Sequence, residues 1–381
     1  MRLSRDPAAR RRLAALASAA ALALVAGVAV GAASGGDSAD EPARGGAPQP
    51  PPVDALSLRR QVGQLLVSSF DGTSVPGYLE RRLRSGETAG VIVFAKNGGG
   101  PAEWSTLTRS LQRAAGGGAL VAVDQEGGEV RSLPFAGPEP GQSVQGSPSQ
   151  VRAVARDSGR ALRRVGVNVN LAPVADVAAG SAVLGGRMFA GGPAAVADRT
   201  RAAVAGYRAA GVAATAKHFP GLGAAPVNTD DGPATIDASR DLLRERELAP
   251  FAAAVAAHVP LVMLSHALYP ALDARRIASQ SAAVATDLLR RRLGFHGVTV
   301  TDSLEAAAVL ARSDIATAAE RSIRAGADLI LMTGSASWNE VFPRLLRRAR
   351  ESRGFRARVR ESAARVMALK SVLRLRPPRA P

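Results

Sequence analysis

Cysteine is absent from the 381 residues, which excludes structural disulfides, a thiolate metal site, a cysteine nucleophile and lipid attachment through a cysteine. Aromatic side chains make up only 4% of the chain, so its core must be built from Ala, Val and Leu. That composition suits layered helix-and-sheet packing better than an aromatic-rich β-sandwich. Lysine occurs three times and histidine four times. The histidines show no H-x-x-x-H spacing and no phosphate-cradling glycine signature is present, so neither a metal nor an organic cofactor is expected.

Basic residues outnumber acidic ones 49 to 32, a formal net charge of +17. The excess is concentrated at the ends. Residues 340–381 hold 13 basic and three acidic side chains, leaving the central body nearly balanced. A solvated, amphipathic terminal helix is the plain reading of that tail, and contact with anionic wall polymer or lipid heads is the alternative. Nucleic acid is not expected as a partner, because the tail lacks interleaved aromatics.

The opening, MRLSRDPAARRRLAALASAAALALVAGVAVGAASGG, has a basic start, an apolar stretch over 13–33 and then small residues. It reads as an export signal, with an uncleaved membrane tether through residues 13–33 as the alternative. Either way the rest is expected outside the cytoplasm, secreted or anchored to the outer face of the cytoplasmic membrane. Residues 34–53 form a Pro/Gly-rich linker that cannot bury a core.

Eight short β-rich runs follow: 65–69, 90–95, 119–124, 167–173, 213–219, 260–267, 297–302 and 328–334. Helical spacing near 3.6 covers 102–115, 148–165, 192–210, 241–257, 281–293, 315–325 and 338–350, with one helix at 55–64 before the first run. The alternation predicts an α/β fold, a (β/α)8 barrel. A doubly wound sheet competes, but no G-x-G-x-x-G follows the first run and eight units are the number that closes a barrel. Barrel enzymes react at the carboxyl ends of their strands. Asp124, Asp176, Lys217–His218, His266 and Asp302 fall there. Any one of them could simply anchor a loop; several converging on one rim favour a site.

The motifs QVGQLL (61–66), GVIVFAKN (90–97), VAVDQEGGEVRSL (121–133), NLAPVADV (170–177), GGRMFAGGP (185–193), AKHFPGLG (216–223), VMLSHALYPALD (262–273) and LGFHGVTVTDSLEAAAV (293–309) resemble, in order and spacing, the N-terminal barrel of glycoside hydrolase family 3. Their nearest type is the single-domain bacterial β-N-acetylhexosaminidases. The resemblance covers residues 54–375 and leaves 376–381 as a basic tail. It implies a retaining glycosidase acting on N-acetyl-amino-sugar glycosides of the cell-wall type; a monomer is expected. It makes Asp302, in VTVTDSL, the nucleophile that forms a covalent glycosyl intermediate; a helix N-cap is the bland alternative for that side chain. It gives Asp124, Arg187, Lys217 and His218 the task of holding the sugar. Lys217 as a Schiff-base lysine is disfavoured, because a salt-bridged ammonium is a poor nucleophile.

The chain also departs from the family pattern. Leu222 stands where the family has the second histidine of K-H-F-P-G-H-G, and Gly232 stands where it has its acid/base histidine, in a loop reading N-T-D-D-G. Ser132 occupies the position of an expected arginine, with Arg131 one residue earlier and able to reach the site only if the shift does not turn it away. Three outcomes are open. Asp230 or Asp231, in a mobile loop closing over the sugar, could donate the proton; the enzyme could rely on good leaving groups; or the barrel could bind sugar at the cell surface without turnover.

Overall fold

The computed structural model describes residues 53–181 and 183–376, all within one unit, Gln49–Pro381. The expected export segment or tether (1–33), the linker up to residue 52 and the tail beyond Arg376 lie outside the described residues. Among the described residues no helix is long and apolar enough to cross a membrane.

Eight parallel strands are built from the predicted runs: β1 (Leu66–Ser68), β2 (Gly90–Ile92), β3 (Leu120–Val123), β4 (Val169–Asn170), β5 (Ala213–Phe219), β6 (Leu261–Leu264), β7 (Val298–Thr301) and β8 (Ile330–Leu331). Their lateral order is β7-β6-β5-β4-β3-β2-β1-β8. A parallel bridge between Val300 and Leu329 joins the two ends, so the sheet closes into a barrel. Successive strand side chains alternate between two surroundings, as a period of two requires. Leu120 and Ala122 pack with Val67, Leu261, Met263, Val298 and Val300 inside the ring. Val121 and Val123 face out onto Trp104, Leu107 and Leu111 of the helix Pro101–Ala114.

Small residues replace the missing aromatics by letting helices approach closely. The helices Pro148–Arg164 and Pro193–Ala209 touch through Gly159 and Gly206: a Cβ on Gly206 would come within 2.5 Å of the Arg152 carbonyl oxygen. Pro148–Arg164 starts with a reciprocal cap between Ser147 and Gln150.

Three elements differ from expectation. A helix at Gly77–Ser85 went unpredicted; it buries only Leu79 and Leu83 and ends on left-handed Gly86. The expected helix 241–257 is interrupted by a wide π turn at Leu243–Glu247, which runs directly into Leu248–Ala256 just before Pro250, a residue with no backbone donor for a regular helix. The basic C-terminal segment is not a solvated helix. It divides into Trp338–Glu351 and Arg353–Val372, and the second seals the amino end of the barrel, with Val366, Leu369 and Leu373 packed against Val67, Leu120, Leu261 and Val298. Part of the positive charge is consumed there: Arg358 and Arg365 hold the buried carboxylate of Asp328 at 2.7 and 3.3 Å.

Candidate active site

The carboxyl rim of the barrel gathers the polar residues that the sequence placed at strand ends. Lys217, buried at the end of β5, has Nζ 2.6 Å from Asp124 Oδ1 and 2.6 Å from Glu126 Oε1. Glu126 in turn accepts two parallel hydrogen bonds from Arg187, at 2.8 and 2.9 Å. Burial alone would lower the Lys217 pKa, but the two carboxylates outweigh it and hold the ammonium above its ordinary range. Burial would likewise raise Glu126, yet Lys217 and Arg187 bring it down to about 2. Arg187 is pushed above its ordinary value: Glu126, then Asp124 and Asp302, outweigh its desolvation. Four charges therefore lie fixed in one cluster, with Asp124 and Arg187 each about a quarter solvent-exposed toward the opening.

Lys217 and His218 are neighbours on one strand, where side chains normally point to opposite faces. The pairing of β5 with β6 shifts register between Ala216 and Phe219, breaking that alternation. His218 is buried, and its Nδ1 lies 2.7 Å from Asp176 Oδ2. A carboxylate can only accept, so Nδ1 carries the proton and Nε2 is left to face the site. Asp176 also accepts from the backbone N–H groups of His218 and Leu222, which anchors the loop leaving β5. Leu222 itself is core.

Asp302 follows β7 directly. Its Oδ1 accepts from the Ser303 N–H at 2.8 Å, and its Oδ2 lies 3.8 Å from His218 Nε2. Burial would raise the Asp302 pKa, but His218, His266 and Lys217 overcome this and hold it below the usual carboxylate value. The side chain keeps 18% of its surface open, so the ionised oxygen is reachable. No helix is capped by Asp302; the nearest, Ala307–Leu310, begins at Ala306 without a side-chain cap. His266 lies beneath this loop, its Nε2 2.9 Å from the Ser303 carbonyl oxygen and its Nδ1 2.8 Å from Ser279 Oγ. It is fully buried and acts as a support.

Asp230 and Asp231 sit in the loop after β5. Although Asp230 as a residue stays exposed, its pKa is raised, first by desolvation of the carboxyl and then by Asp302, with His218 and Arg187 opposing. Asp231 is exposed as well. The loop expected to be mobile is anchored at several points. Ala307 N–H donates to the Asp230 carbonyl and Ala308 N–H to that of Thr229, both at 3.1 Å, and Ser181 Oγ donates to the Ala225 carbonyl at 2.5 Å. Gly232 has room around it: a Cβ there would meet nothing nearer than Val227 Cγ2 at 4.0 Å. Arg131 spends its guanidinium on the carbonyl oxygens of Gly128 and Pro134, at 3.1 and 3.3 Å.

Glu126, the buried hub of the charge cluster, was not singled out in the sequence. The signal was its place two residues after Asp124, the spacing that returns a strand to the same face. Glu305 was missed as well. Its carboxylate accepts from the Thr333 N–H, the Gly334 N–H and Ser303 Oγ at 2.9, 2.9 and 3.0 Å, tying the loop after β7 to the loop after β8.

A closed α/β barrel with carboxylates, an ammonium and an imidazole gathered at its carboxyl rim has them where barrel enzymes carry their active sites. The glycosyl hydrolase family 3 N terminal domain matches residues 57–369, and the chain belongs to that family. It is 33% identical over 341 residues to an uncharacterized secreted glycosyl hydrolase of Arthroderma benhamiae, covering 84% of this chain and 96% of that protein. It is 32% identical over 282 residues to a beta-hexosaminidase of Xanthomonas campestris pv. campestris, covering 70% and 84%. Among solved structures, the beta-N-acetylhexosaminidase from Beutenbergia cavernae superposes with a TM-score of 0.77 at 32% identity, covering 83% of this chain and 99% of that one. A family 3 beta-N-acetylglucosaminidase from Paenibacillus sp. gives 0.79 at 33% identity; 84% of this chain is covered, but only 63% of that longer one. A fungal multi-domain beta-N-acetylglucosaminidase is spanned over 40% of its length. The chain is thus a glycosidase of the β-hexosaminidase-like kind.

Proposed function

We propose that the protein is a retaining glycosidase that removes terminal N-acetyl-amino-sugar residues from cell-wall-type glycans outside the cytoplasm. The observation that carries this reading is the shared pocket of Asp302 and the Lys217–His218 couple, with His218 Nε2 3.8 Å from Asp302 Oδ2. In the first step an Asp302 oxygen bonds to the anomeric carbon as the bond from that carbon to the leaving oxygen breaks, and Asp230 gives its proton to the leaving oxygen. In the second, water attacks the anomeric carbon, Asp230 takes a proton from it, and the bond to Asp302 breaks. Asp124, Arg187, Lys217 and His218 hold the sugar hydroxyls, and charge-assisted hydrogen bonds make that grip directional. The opposite pKa shifts of Asp302 and Asp230 support the division of labour, since a nucleophile must be ionised and an acid protonated.

Gly232 favours a second reading, a sugar-binding protein without turnover, because the family's acid/base histidine is missing. Hydrolysis of an aryl N-acetyl-β-glucosaminide and of a natural wall disaccharide decides between them. Asp302→Asn should lose about 10⁴-fold or more in kcat. Asp230→Asn should lose about 10²–10⁴-fold on the disaccharide and less on the aryl substrate, whose leaving group needs less protonation. Activity should fall at acid pH as Asp302 is protonated and at higher pH as Asp230 ionises, and Asp230→Asn should abolish the second limb alone. Asp231→Asn should change neither. Saturable sugar binding with background rates in wild type would establish the second reading.

A further inference from the structure

A cavity of about 800 Å³ opens at the amino end of the barrel, opposite the catalytic rim. Its walls come from the starts of strands, at Val212 just before β5, Ala213 of β5, Pro260 before β6 and Val298 of β7, and from the terminal helix Arg353–Val372. The floor is apolar, with Phe295 and Leu373, and the exposed Val372 stands at the rim. The charged lining is of one sign: Arg163, Arg208, Arg365 and Arg374 contribute, with His258 and His296 beside them, and no carboxylate does. Arg365 is already committed to Asp328 and Glu361. Arg208 donates to the Ala257 carbonyl oxygen and keeps its charge. Arg163 and Arg374 are exposed and have no side-chain partner among the described residues.

We propose that this cavity binds a single-chain amphiphile with an anionic head, the chain lying along the apolar floor and the head meeting Arg163, Arg208 and Arg374. Its volume falls within the range of small-molecule sites, about 300–1,000 Å³, which bury most of a ligand behind a few oriented polar groups. Guanidinium groups match the planar oxygens of phosphate or carboxylate and are more weakly hydrated than ammonium, so they can hold an anion beside apolar surface. A neutral chain would forgo the arginines, and a head without a chain would forgo the floor. Arg376, the last described residue, donates its N–H to the Gly117 carbonyl oxygen at 3.0 Å. The proposal is independent of the catalytic reading, since none of these residues belongs to the rim.

Calorimetric titration of the full chain with dodecyl phosphate, below its micelle-forming concentration, tests it. One equivalent should bind, at least tenfold more tightly than dodecyl maltoside, and inorganic phosphate should give no saturable heat. The paired charge reversal Arg163→Glu with Arg374→Glu should weaken binding at least tenfold. Ala368→Trp, at an exposed lining position, should block it by filling the groove. Unchanged circular dichroism and melting temperature certify that both variants are folded. Equal affinity for dodecyl maltoside, equal affinity for inorganic phosphate, or full binding by both folded variants would overturn the proposal.

Discussion

At the scale of single residues, the site depends on charges that cannot relax. Glu126 is 1% exposed at its side chain and meets two cations, so removing its charge would leave Lys217 and Arg187 with one counter-charge fewer in a buried place. The rigidity suits catalysis, because preorganised groups need no reorganisation as charge develops. Asp230, the proposed proton donor, is the weaker part of the set, held on a loop rather than a strand. Gly232 offers a direct trial of that weakness. Its backbone is not in the left-handed region and its surroundings are open, so Gly232→His should fold as wild type. We expect it to raise kcat on poor leaving groups by about 10-fold or more, with the gain following the titration of the new imidazole. No gain across pH 5–8 would show that position 232 cannot present a side chain to the glycosidic oxygen. The clustering of the candidate site was legible at this scale, because Asp124, Lys217, His218 and Asp302 each fall at or near the end of an apolar strand. The role of Glu126 was not, since its partners Lys217 and Arg187 lie 91 and 61 residues away in the chain.

At the scale of elements, the loops after β5, β7 and β8 behave as one assembly. The Asp230 loop hangs from the backbone of Ala307 and Ala308, and Glu305 pins the loop that carries Asp302 to Thr333 and Gly334. Glu305 bonds Ser303, Thr333 and Gly334 rather than the charged cluster or Asp302, so we expect it to act as a positioning residue. Glu305→Gln keeps the shape but replaces acceptance by mixed donation against backbone N–H groups. It should lower kcat about tenfold through misplacement of Asp302 while leaving KM within twofold, with the acid limb of the pH profile displaced. A drop in melting temperature with kcat and the pH profile unchanged would make Glu305 structural only. The strands were foreseen because inward and outward residues alternate. The helix Gly77–Ser85 was not, because two buried leucines among three arginines leave little periodic signal.

At the scale of the whole molecule, the basic terminus is part of the barrel's closure. The sequence showed its charge and helical period but not its burial, which depends on strands more than 30 residues away. Lys370 on the terminal helix marks the cost: it is buried, bonds Gln64 Oε1 at 2.7 Å, and desolvation lowers its pKa to about 7. The unfolded chain, where lysine titrates near 10.5, binds the extra proton between pH 7 and about 10.5, so this group makes stability rise with pH across that window. Lys370→Met should remove that rising component. Denaturant unfolding at pH 7 and pH 10 checks it: the wild type should gain stability relative to the variant on going from 7 to 10, and a constant difference would mean that the ammonium is not desolvated.

The central claim is that Asp302 bonds to the anomeric carbon, and covalent trapping tests it most directly. The protein would be incubated with an activated fluorosugar analogue of N-acetylglucosamine and the adduct located by peptide mass mapping. One sugar on the peptide containing Asp302, absent in Asp302→Asn, is the predicted result; a sugar attached to any other side chain would contradict it.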